Sequence, residues 1–281
     1  MNHGPPHAAP IEPSLTPLEG WHCTHIYYRL NRAVLAQMSA AQRQEGCRQL
    51  VEILDPQHAE APQRLQASAV SGHKADFGLM MMDPDPLRID SVHQRLLSSD
   101  LGPALESTYS FVSLSEISEY VPSVEQYAAK LVEEGEVEGG EAYLAKVNAY
   151  KRREPMMRKQ RLTPDFPTWP VMCFYPMNKK RKVGENWFTL PFAERSRMMS
   201  EHAKSGMAYA GRVTQLITVG VGLEDWEWGV TLWAANPNFL THIVYQMRFD
   251  EASARYAEFG PFYTSYLMEA PRLLQHLRIH A

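Results

Sequence analysis

The chain predicts an α+β protein in which two ferredoxin-like β-α-β-β-α-β units merge into one antiparallel β-barrel with outer helices, a dimeric α/β-barrel. Three observations carry that expectation. The first is a weak internal duplication. Asp76-Phe77-Gly78-Leu79-Met80-Met81-Met82 leads to Pro86, and Glu227-Trp228-Gly229-Val230-Thr231-Leu232-Trp233 leads to Pro237, with the same eight-residue step from glycine to proline. The second is local order: each copy follows a strand-like run (Leu65 to Val70; Val213 to Val221) and precedes a helix-like one (Leu87 to Leu97; Phe239 to Met247). The third is that another strand and helix lie upstream of each copy, and a closing strand lies downstream.

Residues 1–19, rich in Pro, His and Ala, are expected to form a disordered tail. Met1 to Pro17 has no basic start followed by an apolar core, so it predicts neither a signal peptide nor a membrane span. The first unit occupies 20–122: strand His25 to Leu30, a helix opened by the capping box Ser39-x-x-Gln42 and closed at Pro56, the duplicated β-β-α segment, and a strand near Tyr109 to Ser113. Residues 123–170 form a connector. A second capping box, Ser123-x-x-Gln126, opens a helical stretch running to Arg158, which the acidic Glu133 to Glu141 interrupts as a solvated turn; Arg161 to Pro170 is a proline-spaced loop. The second unit occupies 171–281, with strand Val171 to Met177, a helix from Pro191 to about Ser205, the second β-β-α copy and a strand at Phe262 to Leu267.

With 281 residues, 44% hydrophobic and 21% charged, the chain can bury one large core without metal or disulfide staples. Cys23, Cys47 and Cys173 are an odd set matching no zinc spacing, which favours a reducing compartment, the cytoplasm. A net charge of −4 leaves no electrostatic footprint for nucleic acid, and the basic run Lys179 to Lys182 is too short to supply one.

The chemistry concentrates in the second unit. On a strand, Tyr175, Met177 and Lys179 of the tract Tyr175-Pro176-Met177-Asn178-Lys179 point to one face, so a phenol, a thioether and an ammonium share a wall. Pro176 removes a ladder donor and marks an edge or bulge, where strands re-aim side chains. His202 falls on the apolar stripe of its helix with Phe192, Met198 and Met199. Two readings stand side by side: a neutral core histidine bonded to backbone, or an iron ligand. With no Cys or carboxylate at metal spacing nearby, a lone imidazole suits a porphyrin, which brings four nitrogens of its own. Tyr175 has a plain reading too, a strand tyrosine that packs its ring. Gln215 alternates with Val213, Ile217 and Val219, so it is either a satisfied structural amide or part of a pocket wall. Lys179, Lys180, Arg181 and Arg161 are cations that a ligand with several carboxylates would need.

Taken together, the Tyr175 to Lys179 tract, the His202 helix, Gln215, Trp226-Glu227-Trp228-Gly229-Val230-Thr231-Leu232 and Met247-Arg248-Phe249-Asp250-Glu251-Ala252-Ser253 resemble the coproheme decarboxylases of the chlorite dismutase superfamily, from about Gly20 to the C-terminus. The resemblance implies oxidative removal of two propionate carboxyls from iron-coproporphyrin III, giving haem b by way of a three-propionate intermediate, with hydrogen peroxide as oxidant. The porphyrin is then both substrate and redox centre. By position His202 resembles the axial iron ligand, and Tyr175 the residue whose phenoxyl radical takes hydrogen from the reacting propionate. Arg161, Tyr175, Pro176, Met177, Asn178, Lys179 and Ser253 resemble the substrate anchors, with Gln215 over the distal face. Chlorite-decomposing relatives place an arginine where Gln215 stands, and some decarboxylases use a distal histidine; no histidine occurs here between His93 and His202. The first unit looks like a decayed copy whose Tyr28-Arg29-Leu30-Asn31-Arg32 matches the tract, so one porphyrin per chain is expected, and the superfamily's homopentamers imply a homo-oligomer. Two other classes remain open on the residues alone: a haem-binding or haem-transfer protein on the same fold, and a dimeric ferredoxin-like domain that binds no porphyrin.

Overall fold

The computed structural model describes residues 12–279; the part of the expected tail at 1–11 lies outside the described residues. Residues 12–21 carry bends but no helix or strand, and are tied down where the Leu15 carbonyl meets His22 Nε2 at 2.8 Å and Glu19 pairs with Arg158. The first unit then runs β1 (His22–Leu30), α1 (Arg32–Gln37), α2 (Ala40–Ile53), β2 (Arg64–Val70), β3 (Phe77–Asp83), α3 (Pro86–Ser98) and β4 (Leu105–Ser115). The connector holds α4 (Val124–Glu133) and α5 (Glu141–Leu162). The second unit runs β5 (Val171–Lys179), the short hairpin β6 (Arg181–Lys182) and β7 (Glu185–Asn186), α6 (Phe192–Met207), β8 (Val213–Val219), β9 (Trp228–Ala234), α7 (Pro237–Met247), α8 (Glu251–Tyr256), β10 (Ala257–Phe259), β11 (Tyr263–Leu267) and α9 (Ala270–His276).

Both capping boxes form. Ser39 accepts the Gln42 N–H at 3.2 Å while Gln42 accepts the Ser39 N–H at 3.0 Å, and Ser123 with Gln126 repeats the exchange at 3.2 and 2.8 Å. The duplicated glycine–proline interval has a physical explanation at each end. A Cβ on Gly78 would lie 2.6 Å from the Tyr27 ring, and one on Gly229 would lie 2.6 Å from Phe111, so each glycine makes room for an aromatic ring inside the barrel. Pro86 and Pro237 sit in the first turn of α3 and α7, behind the N-caps Asp85 and Asn236.

The strands pair in the order β5-β11-β2-β3-β1-β4-β8-β9, and β9 pairs again with β5, closing an antiparallel ring; β10 continues the β11 side of β5. The units join along two short seams, Leu114–Ser115 against Thr218–Val219 and Ser265–Leu267 against Ser68–Val70. Side chains fill the ring. Cys23, Met80, Met82, Met172, Leu216 and Trp233 pack in one group, and Tyr27, Phe111, Phe174 and Tyr263 in another. His25 also lies inside, stacked on Phe174 at 4.0 Å with its Nε2 2.9 Å from the Thr231 hydroxyl.

Several boundaries differ from the sequence reading. α5 continues to Leu162, so Arg161 lies on its last turn rather than in the proline-spaced loop; the helix stops where Pro164 bars Thr163 from helical backbone. The β6–β7 hairpin, α1, α8 and α9 carry no pattern long enough to be called from periodicity. Phe192 is 50% exposed and stacks on Tyr120 instead of joining a buried stripe.

Candidate functional site

Strand register builds the wall first. Residues directly opposite in an antiparallel ladder share a face, so the outer face of β5, β9 and β8 carries the rows Met177–Trp228–Val219, Tyr175–Val230–Ile217, Cys173–Leu232–Gln215 and Val171–Ala234–Val213. On the β5 side this wall is covered: Tyr175 is 6% exposed, stacks on Phe262 at 4.3 Å and meets Phe259 edge-on at 5.7 Å. Toward β8 it is open, with Ile217 38% exposed and Gln215 exposed. The Gln215 amide is therefore not the costly buried group that its alternation with apolar neighbours implied, since water satisfies it in the free protein.

The first unit shows what normally covers such a wall. Gly78 and Gly229 align the two β-hairpins, and the register then sets Leu65 at the place of Gln215 and Ile26 at the place of Tyr175. The segment of the first unit that matches Tyr175 to Lys179 is thus Ile26 to Leu30, two residues before the expected match. Ile26, Leu65, Leu79 and Met81 are all buried in one core with residues of α1, α2, α3 and α9. In the second unit α6 stands at the place of α2, but of its sixteen residues only Met198 is buried, against Trp187, Ala252 and Tyr256. The second unit thus leaves the β8 edge of its wall, at Gln215 and Ile217, uncovered where the first unit is closed.

His202, four residues after Met198, is 28% exposed at its side chain. Its Nδ1 lies 3.0 Å from Asp250 Oδ2, while Asp250 Oδ1 accepts the Ser205 hydroxyl at 2.7 Å. The Asp250 side chain is 5% exposed, and it fixes the tautomer with the proton on Nδ1. Nε2 has no hydrogen-bond partner among the described residues, which leaves a lone pair free for a metal. Burial lowers the His202 pKa and the nearby Lys179 charge lowers it further, against the opposing pull of Asp250, so the imidazole is held neutral. Among the described residues no group of three His, Cys, Asp or Glu side chains could hold a bare metal ion, so the donor set fits iron that arrives within a porphyrin.

The sequence-predicted anchors take different positions. The Lys179 ammonium lies 4.2 Å from the centroid of the Trp187 ring, and burial pushes its pKa down to about 8, offset in part by Glu227. Met177 packs with Tyr175 and Phe259 in the wall. Asn178 turns the other way, its Oδ1 accepting the Glu227 N–H at 2.7 Å, and Pro176 lies under Gly260, whose N–H donates to the Pro176 carbonyl at 2.8 Å. The Ser253 hydroxyl is 3.4 Å from His202 Nδ1, beside the iron-ligand candidate. Arg161 donates to its own helix at the Met157 carbonyl, 3.2 Å away, and among the described residues no hydrogen bond or ion pair joins it to the Tyr175 tract. A cavity of about 270 Å³ between α6 and α7, lined by Ser205, Tyr209, Arg212 and His242, reaches the back of the His202–Asp250 pair through Ser205.

The Tyr175 pKa is raised well above the usual tyrosine range, chiefly by burial, and Arg248 pulls the other way. Arg248 also sits 5.4 Å from the centroid of Phe259, the edge partner of Tyr175. Sequence reasoning singled out neither Arg248, Trp187 nor Glu227 as a functional residue. For Glu227 a signal existed, a lone carboxylate between two tryptophans at a strand start; for Trp187 none did.

Residues 43–268 match the family model described as chlorite dismutase. Among solved structures, the chain is 32% identical to a protein of Thermus thermophilus described as a novel heme-binding protein, with 93% of this chain and 96% of that one covered at a TM-score of 0.77. A mutant chlorite dismutase of Candidatus Nitrospira defluvii is 12% identical over 92% of this chain and 96% of its own, at a TM-score of 0.69, which is a likeness of fold alone. No helix among the described residues is long and apolar enough to cross a membrane. With a family model spanning most of its length, over a closed antiparallel ring of strands, the chain belongs to the chlorite dismutase family.

Proposed function

We propose that the protein is a coproheme decarboxylase, converting two propionate arms of iron-coproporphyrin III to vinyl groups with hydrogen peroxide, through a three-propionate intermediate, to give haem b. The carrying observation is the buried Tyr175 phenol on the same wall as the open Ile217–Gln215 strip. Decarboxylation, unlike haem holding alone, calls on a redox-active side chain near the ligand, and a phenol on this wall supports that reading.

Each arm loses its carboxylate as carbon dioxide and one hydrogen from the carbon next to the porphyrin ring, giving up two electrons and a proton, and each peroxide takes up those two electrons, that proton and one more from solvent to give two waters. When bound, the iron porphyrin supplies the redox centre at which peroxide is consumed. The remaining work falls to this chain. Tyr175 is neutral at any working pH, because burial raises its pKa, so its phenol holds the hydrogen it gives up and later regains from the substrate arm. His202 offers Nε2 to iron, and Asp250 orients the ring and strengthens its basicity through Nδ1. Lys179 supplies the cation that holds a carboxylate arm beside Tyr175, and holding is most of what such a step requires. Gln215 presents a neutral amide toward the open side, which provides no fixed charge for an oxyanion.

The alternative of haem binding without decarboxylation draws support from the Thermus thermophilus relative, which is described as heme-binding. One experiment separates the readings. Iron-coproporphyrin III is added and the Soret band followed, then peroxide is titrated and the product masses recorded. Two successive losses of carbon dioxide with hydrogen support the decarboxylase, while a Soret shift followed only by bleaching overturns it in favour of the carrier. Tyr175→Phe is expected to bind the porphyrin as the wild type does and to stall before the first loss; normal turnover in that variant would sink the role given to Tyr175. The homopentamer and the cytoplasmic setting implied by the resemblance belong to the same proposal, and sedimentation of the purified chain tests the first of them.

A further inference from the structure

The turn that carries Lys179 is held from outside the porphyrin wall. Strand pairing between β5 and β9 ends at Met177 opposite Trp228, while β10 pairs with β5 as far as Lys179, so on the β9 side the Lys179 N–H has no ladder carbonyl to meet. The Glu227 side chain takes that place: its Oε2 accepts the Lys179 N–H at 2.9 Å, and its Oε1 accepts the Arg181 guanidinium at 2.6 Å. The Glu227 N–H in turn donates to Asn178 Oδ1 at 2.7 Å, so Asn178 and Glu227 bind each other's strand reciprocally. The Glu227 carboxylate is only 10% exposed, although its Arg181 partner is 60% exposed. The rest of the turn is fixed through backbone, with the Lys180 N–H on the Tyr256 carbonyl at 2.7 Å and the Trp187 N–H on the Lys180 carbonyl at 3.0 Å. Trp187 is the ring on which the Lys179 ammonium rests.

We propose that Glu227 is a positioning residue for the anionic rim of the ligand: without touching it, Glu227 holds the Asn178–Arg181 turn so that the Lys179 ammonium meets a porphyrin carboxylate. The inference rests on the reading of this wall as a porphyrin site. A buried carboxylate is costly unless its charge is used, and here one carboxylate closes a strand end, pairs with Arg181 and favours the charged form of Lys179. The charged groups near Lys179 are Glu227 at the start of β9 and Arg181 on the adjoining hairpin; α6 contributes the neutral, titratable His202, and α8 contributes Tyr256 through its carbonyl.

The test compares two iron porphyrins by Soret titration: iron-coproporphyrin III, with four carboxylates, and iron octaethylporphyrin, with none. Wild type, Glu227→Gln, Glu227→Asp and Lys179→Met are each checked for an intact thermal transition first. Glu227→Gln is expected to weaken iron-coproporphyrin III by about tenfold, the scale of one charge-assisted hydrogen bond, and to leave octaethylporphyrin binding unchanged. In Glu227→Gln the pH at which coproporphyrin affinity falls should also move below that of the wild type, because the carboxylate that favours the ammonium is gone. Glu227→Asp keeps the charge and should hold that pH near the wild-type value. Equal weakening of both porphyrins would mean Glu227 is merely structural, and no weakening of either would mean it positions nothing; each result overturns the proposal. If wild type bound neither porphyrin, the porphyrin site itself would fall, and this inference with it.

Discussion

At the scale of single residues, the site is governed by what burial does to two titrating groups. His202 must be neutral to offer Nε2, and its pKa lies below 6.5; Lys179 must be charged to attract a carboxylate, and its pKa lies at about 8. Burial lowers both values, but the two protonation states required are opposite. Affinity for iron-coproporphyrin III should fall as pH drops through the His202 value, where the ring takes up a proton, and fall again as pH rises through about 8, where Lys179 loses one. Soret titrations across pH should therefore show a plateau between the two, and Lys179→Met should remove the alkaline limb alone; an alkaline limb surviving in that variant would show that another cation sets it. Asp250→Ala should weaken iron binding by about 10- to 100-fold, the usual cost of losing the partner that orients a ligating histidine, and should change the axial-ligand bands. The shared strand face of the phenol and the ammonium was legible in the sequence from its period, whereas the apolar stripe read for the imidazole's helix is buried only at Met198. Their partners were less so: for His202 the sequence offers Asp250 and Glu251 as plausible carboxylates without choosing between them, and Glu227 lies 48 residues from Lys179, a distance over which periodicity carries no information.

At the scale of elements, the duplication explains both the fold and the uncovered edge of the wall. Gly78 and Gly229 are the points where aromatic rings cross close over a strand, and Gly78→Ala would push a methyl into the Tyr27 ring at 2.6 Å. The expected cost is about 1–3 kcal/mol, read as a lower denaturation midpoint at unchanged slope. A loss much smaller than this would mean that Tyr27 can move aside. The strands and the longer helices were legible because alternation and capping boxes are local signals. The end of α5 and the short helices α1, α8 and α9 were not, because a helix of two turns is made by what it packs against rather than by its own pattern. The least legible feature of α6 was its lack of cover. Its sequence is amphipathic like that of α3 or α7, yet only Met198 is buried.

At the scale of the whole molecule, the two units are one cooperative body, because the ring of strands closes only through both. The interior belongs to neither unit: His25 from β1 stacks on Phe174 from β5 and bonds Thr231 from β9. Burial lowers the His25 pKa from 6.5 to about 3. A histidine whose folded value is depressed leaves the unfolded chain binding more protons, so its contribution to stability is complete above about 6.5 and is lost as pH falls toward about 3. Acid should therefore unfold both units in one transition. His25→Phe should flatten the loss across that window, measured by denaturant unfolding at a series of pH values; an unchanged acid profile would show that carboxylates set it instead.

The sequence by itself determined the two-unit α+β plan and the strand faces, because each of these is a property of spacing along a few turns or strands. Tertiary structure alone decided which residues meet. It brought Tyr175, Val230 and Ile217 into one row, opened the strip at Gln215 where the first unit buries Leu65, sent Asn178 to Glu227, and gave His202 a carboxylate from beyond α7. The physical reason is ring closure. Once β9 pairs with both β5 and β8, every side chain on those strands is assigned to the inside or the outside together, and no local pattern contains that constraint.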